Sequence, residues 1–270
     1  ATRQTAAAMA GVSAKEVVKR LVGDTPPAQL NEVLTDVRKL VTDDRAAVEA
    51  ILPALAADLH SREYAAVKVP GADRRCLLTE DGRLPGDTAT WYDPATRQVL
   101  HVDVGVKPTC PSPGHATCVS VSPLPPEEAA KLDASEPLRA AVDAALSQYL
   151  ADKYPTGVLS VYASKGPNPG VVACYAATGA ALSNFYAGAL RVRWELIWDA
   201  SAGSATAKGT ASARVHYFEE GNVQLDVSCS WDRELDDVEG AGTEGEGAQA
   251  LAEGLAAAVE ACEGAWHQSL

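Results

Sequence analysis

Between Leu190 and Trp231 the chain twice alternates apolar and polar positions with a period of two. Leu190, Val192, Trp194, Leu196 and Trp198 interleave with Arg191, Arg193, Glu195 and Asp199; further on, Val223, Leu225, Val227, Cys229 and Trp231 interleave with Gln224, Asp226, Ser228 and Ser230. Successive side chains of an extended chain point to opposite faces, so each run predicts a strand with one dry face. Gly221 lies in the turn before the second run and is expected to supply the positive φ of a tight hairpin. Further extended runs are Val158 to Ala163, Val171 to Ala176 and Ala205 to Phe218, the first two joined by Gly166-Pro167-Asn168-Pro169-Gly170. Residues 156–232 therefore predict a five-stranded antiparallel sheet.

Helical periodicity governs both ends of the chain. After a featureless tail, 1–12, Ser13 and Glu16 make a capping box ahead of Val17, Val18, Leu21 and Val22. Thr25 is the expected cap of a second helix with Pro26 at its first position and Leu30, Val33, Leu34, Val37, Leu40 and Val41 on one face. A third places Val48, Ile51, Leu52, Leu55 and Leu59 inward, and Pro53 should kink or divide it. Residues 13–63 thus predict an antiparallel helical stalk, and period two returns in a small strand module over 64–106. Residues 107–134 are proline-rich and read as a surface loop; Ser135 then caps a helix over 135–155 with the stripe Leu138, Val142, Leu146, Tyr149 and Leu150. An acidic, glycine-rich link at 233–247 leads to a last helix, 248–270, whose Leu251, Leu255, Val259, Cys262 and Trp266 form one apolar side to lay on the sheet. The fold class is α+β.

At 270 residues and 47% hydrophobic composition the chain can bury a sizeable core. A net charge of −13 argues against nucleic acid or an anionic membrane as a partner and favours neutral or basic ones. No apolar run approaches the roughly 18 residues of a membrane span, so a cytoplasmic chain is expected. The six cysteines are scattered, so reduced thiols are the default. Cys110, His115 and Cys118, with Cys76 or His101 nearby, are the best metal candidate, but their spacing is not a paired-ligand pattern, and neither metal nor cofactor is expected. Glu219 and Glu220 are adjacent on a strand end and point apart, which is poor geometry for acid/base work, and His216 reads as a packed strand residue. Trp194, Trp198 and Trp231 could wall a ligand but suit core packing and a dimer seam better. No catalytic motif occurs, and no reaction is expected.

One string is more specific than its periodicity. Val215-His216-Tyr217-Phe218-Glu219-Glu220-Gly221-Asn222-Val223 resembles the motif of the F-actin capping protein alpha subunit family. Leu30-Asn31-Glu32-Val33-Leu34-Thr35-Asp36-Val37-Arg38 is similar to a helix of that family, and Val67-Lys68-Val69, Leu78-Thr79-Glu80-Asp81-Gly82, Asp93-Pro94, Lys153-Tyr154, Val161-Tyr162-Ala163 and Asn184-Phe185 look like further parts of it, in order. The resemblance implies half of a mushroom-shaped heterodimer, five strands from each subunit forming one sheet with a long helix across it. It implies an obligate beta subunit as partner, an actin or actin-related filament end as target, a place in the cytoskeleton, and basic capping-interaction peptides and an ankyrin-repeat inhibitor as regulators. The family's actin contacts lie in a basic tail beyond the last helix that no residue here matches, so no actin-binding residue is assigned and weak capping is expected without it. The alternative is a scaffold heterodimer in a larger assembly, on an actin-related filament or in the axoneme of a cilium.

The residues point the same way independently. The last strand lacks proline and has only Asp226 as a charge before Asp232, so it is poorly protected against pairing with another chain. The beta-subunit interface is therefore expected at Asn222, Gln224, Leu225, Val227 and Trp231, together with Leu251, Leu255, Val259 and Trp266 of the last helix.

Overall fold

Ser13 Oγ accepts the amide of Glu16, 3.3 Å away, and opens the first helix as its capping pattern predicts. A computed structural model describes residues 13–26, 28–42, 44–87, 89–107, 109–110, 112–181, 185–219, 221–235 and 242–269. The tail 1–12, much of the acidic link, Glu220, Asn184 and Leu270 lie outside these. Four short helices form the stalk: α1 (Ala14–Gly23), α2 (Leu30–Leu40), α3 (Arg45–Glu49) and α4 (Leu52–Arg62). Val18, Val22, Leu34, Val37, Val48 and Leu52 bury against one another inside it. Pro53 divides the third predicted helix, standing in the first turn of α4, where a missing N–H costs nothing. Thr25 is not the cap of α2: its hydroxyl donates to Leu21 O at 3.2 Å and closes α1, while Gln29 precedes α2. Leu40 points to solvent at 72% exposure instead of inward, because α2 ends there.

The small strand module divides into two sheets. Strands β1 (Ala66–Lys68) and β2 (Arg75–Leu77) pair as a ribbon, and β3 (Thr90–Asp93), β4 (Gln98–Asp103) and β5 (Thr117–Pro123) make a three-stranded sheet. Strand β5 lies inside the stretch expected to be a loop, its backbone taken up by pairing with β4. The following helix, α5 (Pro126–Lys153), also begins inside that stretch, nine residues before the predicted Ser135. Pro126 occupies its first turn and Glu127 and Glu128 follow, both favourable at a helix start. Ser135 is no cap; its hydroxyl donates back to Lys131 O at 3.2 Å, and Pro137 is carried inside the helix.

The five-stranded sheet is a meander with the order β10-β9-β8-β7-β6, all antiparallel. Its strands are β6 (Val158–Ala163), β7 (Gly170–Ala181), β8 (Tyr186–Asp199), β9 (Ser204–Tyr217) and β10 (Val223–Leu235). Strand β10 runs three residues past the predicted end, and the last helix, α6 (Gly245–Ser269), starts three residues early. Positive φ occurs at Gly203, between β8 and β9, and not at Gly221. Helices α5 and α6 lie on one face, where Leu138, Leu146, Leu251, Leu255 and Val259 meet Val171, Tyr175, Val192 and Trp194. The stalk-side face of β6 and β7 packs Tyr162, Val172 and Cys174 on Leu77, Tyr92 and Leu132. Every residue from Val171 to Ala176 is therefore buried, whereas no residue of β10 is.

Besides its ladder with β9, strand β10 is tied to this core by Trp231. Its indole stacks on that of Trp194 at 5.3 Å and 3° and meets Trp266 of α6 edge-on at 6.2 Å. The two stacked rings sit on β8 and β10 with Gly209 of β9 between them in register. A Cβ at Gly209 would lie 2.7 Å from the Trp194 ring, so only glycine leaves room for the stack. Gly209→Ala is expected to cost about 1–3 kcal/mol through this overlap, read as a lower denaturation midpoint with an unchanged slope.

The contact of α5 with α6 closes over one acid. Glu263 is 1% exposed; Tyr149 and Tyr154 donate their hydroxyls to its Oε2 at 3.0 and 2.8 Å, and its Oε1 has no hydrogen-bond partner among the described residues. Burial pushes its carboxyl above the usual range, and the two tyrosine hydrogen bonds only partly offset this. A raised folded-state pKa means stability present below the unfolded pKa and lost as pH rises through the folded one. Glu263→Gln should therefore gain stability relative to the unmodified chain as pH rises from acid to neutral, measured as the difference in melting temperature; a pH-independent difference would disprove this.

Candidate functional site

The free edge of the sheet is β10. Its orientation follows from single hydrogen bonds at the sheet's ends. Phe218 N–H donates to Phe185 O at 2.9 Å, which makes Phe185 and Phe218 a hydrogen-bonded pair of the β8–β9 ladder. Backbone groups of alternate residues point to opposite sides, so even-numbered residues of β9 face β8 and odd-numbered ones face β10. The bond from Trp198 N–H to Pro169 O, 2.9 Å, places β8 consistently. Through the register Val223↔Tyr217 to Leu235↔Ala205, odd-numbered β10 residues bond to β9. Gln224, Asp226, Ser228, Ser230, Asp232 and Glu234 then turn their N–H and C=O groups outward, with no strand of the described residues beyond them.

Beside this edge the helix-side face of the sheet runs out of cover. Across β8, β9 and β10, the row Val192, Ala211, Cys229 lies under the helices and the row Leu190, Ala213, Val227 is half-buried. The last two rows are bare: Val215 and Leu225 are 37% and 51% exposed, and Tyr186, Tyr217 and Val223 are 39%, 38% and 61% exposed. Phe185 adds a ring at the same end, edge-on to Phe218 at 5.8 Å. These five side chains share one face and are contiguous, so the bare end is a patch and not scattered exposure.

The stalk side of the same strands is polar and braced. Glu63, at the end of α4, accepts from Arg191 at 2.7 Å and Arg214 at 2.9 Å, and Arg214 also reaches Asp226 at 3.4 Å. A cleft of about 730 Å³ opens beneath β10, lined by Arg62, Glu63, Arg191, Arg214, Asp226 and Ser228 among others. His216 is 6% exposed: Gln29 Nε2 donates to its Nδ1 at 2.6 Å, which leaves its Nε2–H to donate to Asn222 Oδ1 at 2.7 Å. Both ring nitrogens are thereby occupied, tying the β9–β10 turn to the stalk, and neither is free to act as a base. Glu219 accepts the Tyr217 hydroxyl.

Of the residues expected at an interface, Gln224 offers outward backbone and Leu225 is exposed, but Asn222 spends its side chain on His216. Val227 and Trp231 are half-buried against the chain's own core. Leu251, Leu255 and Val259 are fully buried and Trp266 is 8% exposed beneath the same core, so the helix residues have no surface left to offer. Unforeseen were Tyr186, Val215, Tyr217 and Val223, whose exposure depends on where α5 and α6 stop. The candidate metal set is dispersed: the Cys110 thiol lies 3.7 Å from Asp103, that of Cys118 3.4 Å from Ser120 O, that of Cys76 3.6 Å from Ser160, and His101 pairs with Ser122. Burial pushes the Cys76 and Cys118 thiols up, away from the thiolate form, and no group of three ligating side chains occurs among the described residues. No described helix is long and apolar enough to cross a membrane.

Comparison with known proteins adds a name to this geometry. A family model for the F-actin capping protein alpha subunit matches residues 18–270. The chain is similar to the F-actin-capping protein subunit alpha of Dictyostelium discoideum, 27% identical over 216 residues, covering 78% of this chain and 70% of that one. It resembles the Arabidopsis thaliana subunit to the same identity over 220 residues, with 79% and 67% covered. Among solved structures it is similar to a homodimeric actin capping protein alpha subunit from Plasmodium berghei, with a TM-score of 0.69 at 14% identity over 94% of this chain and 88% of that one, a likeness of fold.

The edge geometry predicts an alternating pattern of amide exchange. In the isolated chain, the amides of Gln224, Asp226, Ser228, Ser230 and Asp232 should exchange quickly and those of Leu225, Val227, Cys229 and Trp231 slowly. Uniform protection along β10 would contradict a free outer edge.

Proposed function

Because the chain belongs to the F-actin capping protein alpha subunit family, we propose that it is one half of a two-chain cap on the barbed end of an actin filament. The observation that carries this reading is the coincidence of a thirteen-residue open strand with a bare apolar patch on the adjoining face. A lone chain gains nothing from leaving both uncovered, since unpaired edge amides invite pairing and exposed apolar surface invites burial. A partner of related fold, a beta subunit, would satisfy the outward groups of Gln224 to Glu234 with its own strand and cover Tyr186, Val215, Tyr217, Val223 and Leu225. The result is one continuous sheet, the recurring mode of strand addition.

The role is occupancy and not catalysis. A rigid two-chain body seated on the terminal subunits denies the next actin subunit its place, and no bond is made or broken. Bracing of the sheet on the stalk through Glu63 and His216, and on the small strand module through the Arg193–Asp81 pair, with nitrogen–oxygen distances of 3.0 and 3.1 Å, suits a part that must hold its shape against a filament. Such a cap would work on the actin cytoskeleton of the cytoplasm, and basic capping-interaction peptides would find a net charge of −13 favourable.

Seeded elongation of pyrene-labelled actin by the co-expressed two-chain protein tests the reading. Barbed-end growth should stop at nanomolar protein while pointed-end growth continues. Undiminished barbed-end growth at saturating protein would overturn the proposal.

A further inference from the structure

The outward residues of β10 present charge on one side of the sheet only. Gln224, Asp226, Ser228, Ser230, Asp232 and Glu234 share the stalk-side face, so a strand laid antiparallel along this edge meets Asp226, Asp232 and Glu234 directly opposite its own stalk-side residues. Arg214 and Lys208 of β9 already flank Asp226 and Asp232 from within, at 3.4 and 3.6 Å. Both carboxylates remain well exposed, with side chains at 65% and 70%. Among the described residues no strand lies on their outer flank. A lysine or arginine there would complete a base–acid–base row, whereas an acid would set two carboxylates face to face.

We propose that these three carboxylates select the partner strand: the edge takes a strand from a different chain bearing cations on its stalk side, and disfavours full-length pairing with a second copy of itself. The proposal rests on the reading above that β10 is a pairing edge. Opposite residues of an antiparallel pair lie on the same face, which limits the ways two copies can join with their helices on one side. The register that pairs the whole of Val223–Leu235 with its copy is centred on Cys229 and sets Asp226 against the copy's Asp232, twice by symmetry. Centring on Ser230 sets Asp226 against the copy's Glu234, again twice. A register centred on Ser228 avoids both clashes but leaves Glu234 and Leu235 unpaired. The chain's overall acidity acts in the same direction, repelling a copy and attracting a basic partner.

Two synthetic peptides test this against the full chain: one with the sequence of Val223–Leu235, the other the same peptide carrying Asp226→Lys and Asp232→Lys. By fluorescence anisotropy at low salt the lysine peptide should bind about tenfold tighter, with the preference shrinking as salt is added. On a chain carrying Asp226→Asn and Asp232→Asn, substitutions that remove charge with little change of shape, the preference should collapse. Equal binding of the two peptides to the unmodified chain would overturn charge selection while leaving the pairing edge intact. Binding of neither would overturn the pairing edge itself, and the proposal with it.

Discussion

Cover for the five-stranded sheet is unequally shared, and the rest of the structure follows from that constraint. Two long helices and one small strand module can bury both faces of β6 and β7, where apolar residues occupy every position from Val171 to Ala176. The same elements leave β10 with one half-covered face and, among the described residues, no strand on its outer side. Along the strands the cover also thins, from Trp194 and Leu196, fully buried in the core shared with α5 and α6, to Tyr186, Tyr217 and Val223 in the open. The least covered corner of the sheet is thus the corner where the free edge meets bare apolar surface.

That corner is unfinished without being loose. Trp231 anchors the edge strand by stacking on Trp194 over Gly209, and Trp266 closes the stack from α6. On the other face the strands are tied to the stalk and to the small strand module by charge and hydrogen bonds. Glu63 gathers Arg191 and Arg214, Asp81 holds Arg193, and His216 is gripped between Gln29 and Asn222. An edge held flat by its own chain would bind a partner strand without first having to be ordered, so less of the association energy would be lost to conformational entropy.

On the proposed reading, the polar stalk side is also what keeps an open strand from pairing indiscriminately. An edge whose outward row were all apolar would accept any extended segment, including its own copy. Placing Asp226, Asp232 and Glu234 in that row makes register and sign matter. Under that proposal affinity would come from backbone pairing and the apolar patch, and choice of partner from carboxylates that contribute little to the chain's own stability.

Period-two alternation was enough to place all five long strands and their order as a meander, because a strand with one dry face must alternate and short links force neighbours to pair. Capping at Ser13 and the break at Pro53 were equally local. The motif from Val215 to Val223 was legible as a string, and family membership with it, although the string does not say that His216 serves as a brace. What the sequence concealed depended on distance. Strand β5 and the first turns of α5 lay hidden in a proline-rich stretch, because pairing with β4 and a helix start at Pro126 outweigh a composition that reads as loop. The apolar stripe of α6 looked equally fit for a partner or for the chain's own core, since periodicity reports that a face is dry and not what dries it. Only the tertiary structure decided that Leu251, Leu255 and Val259 are spent within the chain while Tyr186, Val215, Tyr217, Val223 and Leu225 remain uncovered, because burial is set by where helices from distant parts of the chain come to rest on the sheet.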